Sequence, residues 1–315
     1  MAKNRVIFYL HNGVHLLDLA GAVQAFYEAG EFGQGYDMVY VADQQAPVCS
    51  AGLPFMRLAP FSSVEVGADD VLIVAGFELR ELNRDEAPGL YTWLTAAAES
   101  GAVVASVCTA AFLLAEAGLL DERECTTHWK YTSRMRKEYP RLKVQVDRLF
   151  VKDGNIYTSA GVTTGIDMAL FLLEERHGAE FAFKVAREMV VYIRRDGASP
   201  QESIYLQHRS HIRHDIHVVQ DWIIQNLQRK IKIEDLAALI HTSPRNLTRL
   251  FKSATGITVG QYMEKLRVEK AVHMLQQRAK VASIPGQCGL QSANQLRSLL
   301  KKHTGRLPSE LAELS

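Results

Sequence analysis

Cys108 stands at the seam of Ala102-Val-Val-Ala-Ser-Val-Cys-Thr-Ala-Ala-Phe112, where a short β-branched run gives way at once to helix-forming residues. A strand that turns directly into a helix lifts the side chain at the turn out of the sheet. It also aims that side chain at the helix's unpaired N–H groups, whose dipole favours a thiolate over a thiol. Cys108 is therefore a candidate nucleophile or oxidation sensor. The competing reading is a buried cysteine acting as a small apolar residue. Cys49, Cys125 and Cys288 show no Cys-x-x-Cys spacing and read as packing residues, reduced in a chain without an export signal. His208, His211, His214 and His217 cluster in sequence, either as solvated histidines or as a metal site. No fixed helical face or cysteine partner supports the metal, and no metal or cofactor is expected.

The elements that must position Cys108 alternate in type. Val6–Leu10, Tyr36–Ala42, Val71–Val74 and Ala102–Val107 read as strands buried on both faces. Helical stretches fall at 16–30, 88–99, 109–118, 129–139 and 164–192, and Asp153-Gly154 marks a hairpin. Alternating strands and helices imply a parallel sheet between helical layers. Ligands of such sheets sit beyond the strand C-termini, where Cys108 falls. Asp18 reads as a cap for a helix starting near Leu19, and Trp129 and Trp222 read as core. Around Arg194–Gln201 the composition turns polar, and after His211 only helices are expected: 215–228, 233–240, 244–254, 259–276, 291–302 and 308–314.

A chain of 315 residues fits two domains, and 47% hydrophobic with 23% charged residues is ordinary for a soluble protein. No run is apolar enough to span a bilayer, and the start lacks a signal peptide's core, so a cytoplasmic location is expected. The formal net charge of +1 hides an asymmetry. From Pro200 onward 17 Lys and Arg face 9 Asp and Glu, whereas the remainder holds 19 against 26. A back half near +8 behind an acidic front near −7 points to a polyanionic partner.

That back half also repeats. Arg249-Leu-Phe-Lys-Ser-Ala-Thr-Gly256 recurs 49 residues later as Ser298-Leu-Leu-Lys-Lys-His-Thr-Gly305. Each copy follows a capping serine, Ser243 or Ser292, and Ser243-Pro244 fits N-cap then N1. Two short helices joined by a tight polar turn, the second rich in Arg, Asn and Thr, match a helix-turn-helix able to enter a major groove. Residues 213–315 resemble the double helix-turn-helix domain of AraC/XylS transcription regulators. The resemblance implies Arg245, Asn246, Thr248 and Arg249 as base or phosphate readers, with Asn294, Gln295 and Arg297 in the second unit. Ser298 departs from the usual Arg, and Leu296 and Leu300 replace the commoner Phe. Pro285-Gly286 interrupts the second unit's first helix, so the first unit is expected to carry most specificity and the second to grip phosphate.

The front half, through Leu16–Gly21, Ser106–Phe112, Thr126–Trp129 and Thr158–Asp167, resembles the PfpI/ThiJ superfamily, related to class I glutamine amidotransferases. Joined to the AraC-type domain, this is the layout of GlxA-like regulators. The resemblance implies an α/β flavodoxin-like sensing and dimerisation domain at 1–197, a linker at 198–212 and an all-α DNA-binding domain at 213–315. It also implies a site of Asp18, Cys108 and His128, with Gly76, Phe77 and Thr109 beside it. Thr109 after the cysteine and Asp at 18 resemble the isocyanide hydratase branch. Phe77 replaces the second glycine of the oxyanion side, so its ring is expected to crowd the pocket. His128 reads either as part of the site or as a cap of the next helix. The expected function is transcription regulation: activation of a catabolic operon in response to a small nitrogen-containing effector. Operator DNA, a second copy of the chain and RNA polymerase are the expected partners. The alternative is a Cys108-dependent hydrolase or hydratase that carries a DNA-binding domain.

Overall fold

The computed structural model describes residues 4–43, 46–82, 88–191, 195, 197, 201, 208, 209, 211–276 and 279–313. The chain divides into two compact units, Met1–Gln201 and Glu202–Ser315. Most of the linker expected at 198–212, and the ends 192 and 314 of two expected helices, lie outside the described residues.

The front unit's strands are β1 (Arg5–Leu10), β2 (Asp37–Ala42), β3 (Ala59–Pro60), β4 (Val71–Val74), β5 (Val103–Val107), β6 (Glu124–Cys125), β7 (Lys143–Val144), β8 (Phe150–Asp153) and β9 (Ile156–Ser159). Its helices are α1 (Leu16–Glu31), α2 (Pro88–Glu99), α3 (Ala111–Glu116), α4 (Thr132–Glu138), α5 (Thr164–His177) and α6 (Ala179–Glu188). Seven strands form one sheet in the order β3-β2-β1-β4-β5-β9-β8, and β6 pairs with β7 separately. Pairing in the large sheet is parallel except in the β8–β9 hairpin, which Asp153 and Gly154 begin to turn.

The continuous apolar runs have the expected cause. Successive strand residues face opposite ways, so a strand covered on both sides must be apolar throughout. In β1, Val6, Phe8 and Leu10 enter a core with Leu19 and Phe26 of α1, Leu170 of α5 and Val185 of α6. Ile7 and Tyr9 enter the opposite core with Leu94 of α2, Phe112 of α3 and Met135 of α4. β4 divides in the same way, Val71 and Ile73 against Leu72 and Val74.

Several expectations are corrected. The helix expected at 164–192 breaks at Gly178, whose φ of 87° lies outside the helical region and suits glycine. α1 opens at Leu16 with His15 as its N-cap, so Asp18 lies inside the first turn and is not its cap. Residues 108–110 form a 3-10 turn before α3, so the helix after Cys108 starts late. Trp129 is 51% exposed and is not core, whereas Trp222 packs against a core. All four cysteines are free and buried.

The back unit holds α7 (His214–Gln225), α8 (Ile233–Leu239), α9 (Pro244–Thr255), α10 (Val259–Gln276), α11 (Ile284–Gln287), α12 (Ala293–Thr304) and α13 (Pro308–Glu313). It has two apolar cores bridged by α10. The first half of α10 gives Val259, Tyr262 and Leu266 to a core with Leu247 and Phe251 of α9. Its second half gives Ala271 and Leu275 to a core with Ile284, Leu296 and Leu300. Pro285 does not abolish the second unit's first helix. It occupies the first turn of α11, where its missing N–H has no helical partner to lose, and that helix shrinks to a single turn. Leu247 and Leu296 are fully buried at matching positions of the repeat. Leu247→Ala and Leu296→Ala should each cost about 2–5 kcal/mol. Lying in separate cores, they should add within about 0.5 kcal/mol in the double variant, read by urea unfolding.

Candidate functional site

Three strand ends deliver the candidate site. Cys108 follows β5 with a φ of 58°, in the left-handed region that costs a non-glycine residue roughly 1–3 kcal/mol. That backbone turns its side chain into a cage, and the residue is only 3% exposed. A Cβ on Gly161, after β9, would lie 2.2 Å from the Cβ of Cys108 and 2.7 Å from its Sγ. A Cβ on Gly76, after β4, would lie 2.2 Å from Asp18 Oδ2 and 2.7 Å from the Cβ of Cys108. The two glycines are what allow the carboxylate and the thiol to share one small space.

Asp18, 1% exposed, is held in that space by two groups. Its Oδ1 accepts the Val162 N–H, and its Oδ2 lies 3.2 Å from His15 Nδ1. His15 Nδ1, the Asp18 carboxylate and Cys108 Sγ all lie within 4.8 Å of one another, a donor set that could hold a metal ion. His15 was not singled out from the sequence, although its place three residues before Asp18 at a helix start was a usable signal.

The surroundings of Cys108 favour the buried-thiol reading over the thiolate. Burial pushes the Cys108 thiol well above its usual range, and the neighbouring Asp18 carboxylate pushes it further. Thr109 opposes both, without reversing them. The Thr109 N–H at the start of the turn favours the thiolate as expected, but burial of the sulfur and the adjacent carboxylate outweigh it. A protonated, enclosed thiol is a weak nucleophile and a slow target for oxidants.

Thr109 engages both backbone groups of Phe77. Its hydroxyl donates to the Phe77 carbonyl at 2.6 Å and accepts the Phe77 N–H at 2.8 Å. That N–H, the donor an oxyanion would use beside Gly76, is already engaged. The Phe77 ring is wholly buried, stacked on His11 with centroids 4.3 Å apart. It packs in the core on the sheet face opposite that of Cys108, so the ring does not crowd the space around the thiol as expected.

His128 is not among the donor atoms gathered at Asp18 and Cys108. Its Nδ1 accepts the Lys130 N–H at 3.3 Å and caps the turn Trp129–Tyr131. Its neighbour Thr127 reaches the elbow instead, donating to the Cys108 carbonyl at 2.8 Å.

In the back unit, α9 and α12 are built alike. Ser243 caps α9 by accepting the Asn246 N–H, and Ser292 caps α12 by accepting the Gln295 N–H. Leu247 and Phe251 in one, Leu296 and Leu300 in the other, face the cores. Spacing by three and four therefore puts Arg245, Thr248 and Arg249 on the exposed side of α9. Asn294, Arg297 and Ser298 take the same places on α12. Asn246 is half-buried, and the exposed Gln295 turns its Oε1 back to the Gln291 N–H at 2.8 Å.

Residues 4–175 match the DJ-1/PfpI family, and the chain belongs to that family. Residues 236–313 match a helix-turn-helix domain. The HTH-type transcriptional regulator GbdR of Pseudomonas aeruginosa is 29% identical over 77% of this chain, and the match spans 65% of GbdR's own length. The HTH-type transcriptional regulator GlxA of Rhizobium meliloti is 26% identical, over 89% of this chain and 86% of its own. The crystal structure of an AraC family transcriptional regulator from Pseudomonas putida superposes with a TM-score of 0.53. At 18% identity over 59% of this chain and 99% of that one, it shows the fold alone. The chain therefore joins a DJ-1/PfpI-type front unit to a helix-turn-helix back unit, the arrangement spanned by its matches to HTH-type transcriptional regulators.

Iodoacetamide at neutral pH should modify Cys108 of the folded chain far more slowly than free cysteine. Asp18→Asn removes the adjacent anion, so it should lower the thiol's pKa and speed modification at a given pH. Mass spectrometry of the modified peptide reads both, and faster-than-free modification of the wild type contradicts this account of the elbow.

Proposed function

We propose that the chain is a one-component regulator whose front unit binds a small nitrogen-containing metabolite at Asp18 and Cys108, and whose back unit binds operator DNA through α9 and α12. The observation that carries this reading is the caged pair itself. A buried carboxylate with a protonated thiol beside it suits an N–H or ammonium group, which donates to Asp18 and needs no nucleophile. Gly76 and Thr109 would act as supporting residues of that pocket, with Thr127 holding the Cys108 carbonyl.

The family resemblance supports activation of a catabolic operon as the output, with RNA polymerase as the partner that activation requires. Pairing of two copies is supported by exposed apolar side chains on the front unit, among them Leu16, Leu17, Leu53 and Met56. Access to an operator fits a cytoplasmic location, and no helix among the described residues is long and apolar enough to cross a membrane. The effector must bind one state of the regulator better than another, since only differential affinity shifts an equilibrium. The linker at 198–212 would carry that difference between domains at 1–197 and 213–315.

A thermal-shift screen of amino acids and amines tests the sensing half. At a free concentration of about 100 Kd a true effector adds about 2.7 kcal/mol to stability, and it should be recovered unchanged. Turnover of the stabilising compound would favour an enzyme instead. For the DNA half, Arg249→Ala should relax preference at one base pair, at about 1–3 kcal/mol. Arg297→Ala should weaken all sequences alike and lower the salt slope by about one. The reverse pattern would exchange the roles of the two units.

A further inference from the structure

The exposed side of α9 carries a chain of side-chain hydrogen bonds that begins in the turn before the helix. Asn246 Nδ2 donates to Thr242 Oγ1 at 2.7 Å, and Asn246 Oδ1 accepts from Arg249 Nη2 at 2.8 Å. The amide cannot be turned the other way. A guanidinium only donates, so the atom facing Arg249 must be the oxygen, and the nitrogen then faces the threonine hydroxyl. Thr242 is itself fixed, its N–H donating to the Ala237 carbonyl of α8 at 3.0 Å. The Asn246 backbone is fixed too, its N–H donating to Ser243 Oγ at 3.3 Å.

The repeat supplies an internal comparison. Forty-nine residues on, Gln295 stands where Asn246 does, and its carbonyl oxygen turns back to the Gln291 N–H at 2.8 Å. Arg249 is matched by Ser298, which has no guanidinium to hold. The relay therefore belongs to the first unit, although both units share the capping serine and the buried leucine.

We infer that Asn246 is a positioning residue for Arg249 and not a base reader in its own right, and that the Thr242–Asn246–Arg249 relay sets the base specificity of the first unit. The inference rests on reading α9 as the helix that enters the major groove. Of the five N–H groups of Arg249, the relay uses one. The others remain for a paired contact such as O6 and N7 of guanine. A free arginine on a helix surface samples many rotamers and loses that freedom on docking. One tethered from the turn of its own motif loses less, and points one way before DNA arrives.

The experiment selects preferred duplexes from a random pool with the full-length wild-type chain. Affinities for every single-base variant are then measured for Arg249→Ala, Asn246→Ala, Asn246→Asp and the double alanine variant. Asn246→Ala should lose about tenfold discrimination at the base pair where Arg249→Ala loses it, with the salt slope unchanged. In the Arg249→Ala background it should do nothing more. Asn246→Asp keeps an acceptor for Arg249 and can accept the Thr242 hydroxyl proton. It should keep the discrimination while its charge lowers affinity for all sequences. The relay is overturned if Asn246→Ala acts at a different base pair, if the two alanine effects add, or if Asn246→Asp fails to preserve discrimination. An Arg249→Ala variant with every base preference intact removes the α9 reading itself, a result distinct from failure of the relay alone.

Discussion

The front unit is organised by one contact, the burial of the Asp18 carboxylate against the Cys108 thiol. A carboxylate without water needs hydrogen-bond donors, and here they come from the Val162 N–H, His15 and the thiol. Each of these groups belongs to an element that must end in the right place. α1 supplies His15 and Asp18, β5 supplies Cys108, and the turn after β9 supplies Val162. Two glycines, 76 and 161, then remove the atoms that would hold them apart. The same contact decides the chemistry. A carboxylate beside a buried sulfur raises the thiol's pKa, which works against an activated nucleophile.

The back unit answers a different constraint. Each helix-turn-helix unit is too small to enclose a sizeable core, and α10 solves this by serving both. Its apolar residues fall on one face early and on another late, which joins the units without mixing their cores. Glu264 on α10, paired with Lys302 at 2.6 Å and His303 at 3.2 Å, adds an exposed tie to α12. With their apolar sides committed inward, α9 and α12 leave basic and amide side chains outward. That is the distribution a polyanion requires.

Much of this was legible in the sequence because the signals were local and redundant. The doubly covered strands announced themselves as nearly continuous apolar runs. The repeat announced itself through Ser243 and Ser292, Leu247 and Leu296, and Gly256 and Gly305. What escaped depended on three-dimensional company. The ionisation of Cys108 was argued from the helix that follows it, but the outcome belongs to burial and to Asp18, ninety residues away. His128 lay in a motif and His15 did not, yet the ring that reaches the carboxylate is His15. Pro285 shortens its helix as expected, but its place in the first turn of α11, which lets a single turn survive, was not legible. The role of Thr109 in occupying the Phe77 N–H has no signature in spacing at all.

The central claim is that the Asp18–Cys108 pair is a binding site that governs DNA binding. It is tested most directly by measuring operator affinity of the full-length chain with and without the metabolite that stabilises it most, in the wild type and in Asp18→Asn. The account predicts that the metabolite shifts affinity in the wild type, leaves Asp18→Asn unmoved, and is recovered intact. An equal shift in both proteins, or consumption of the metabolite by the wild type alone, would contradict it.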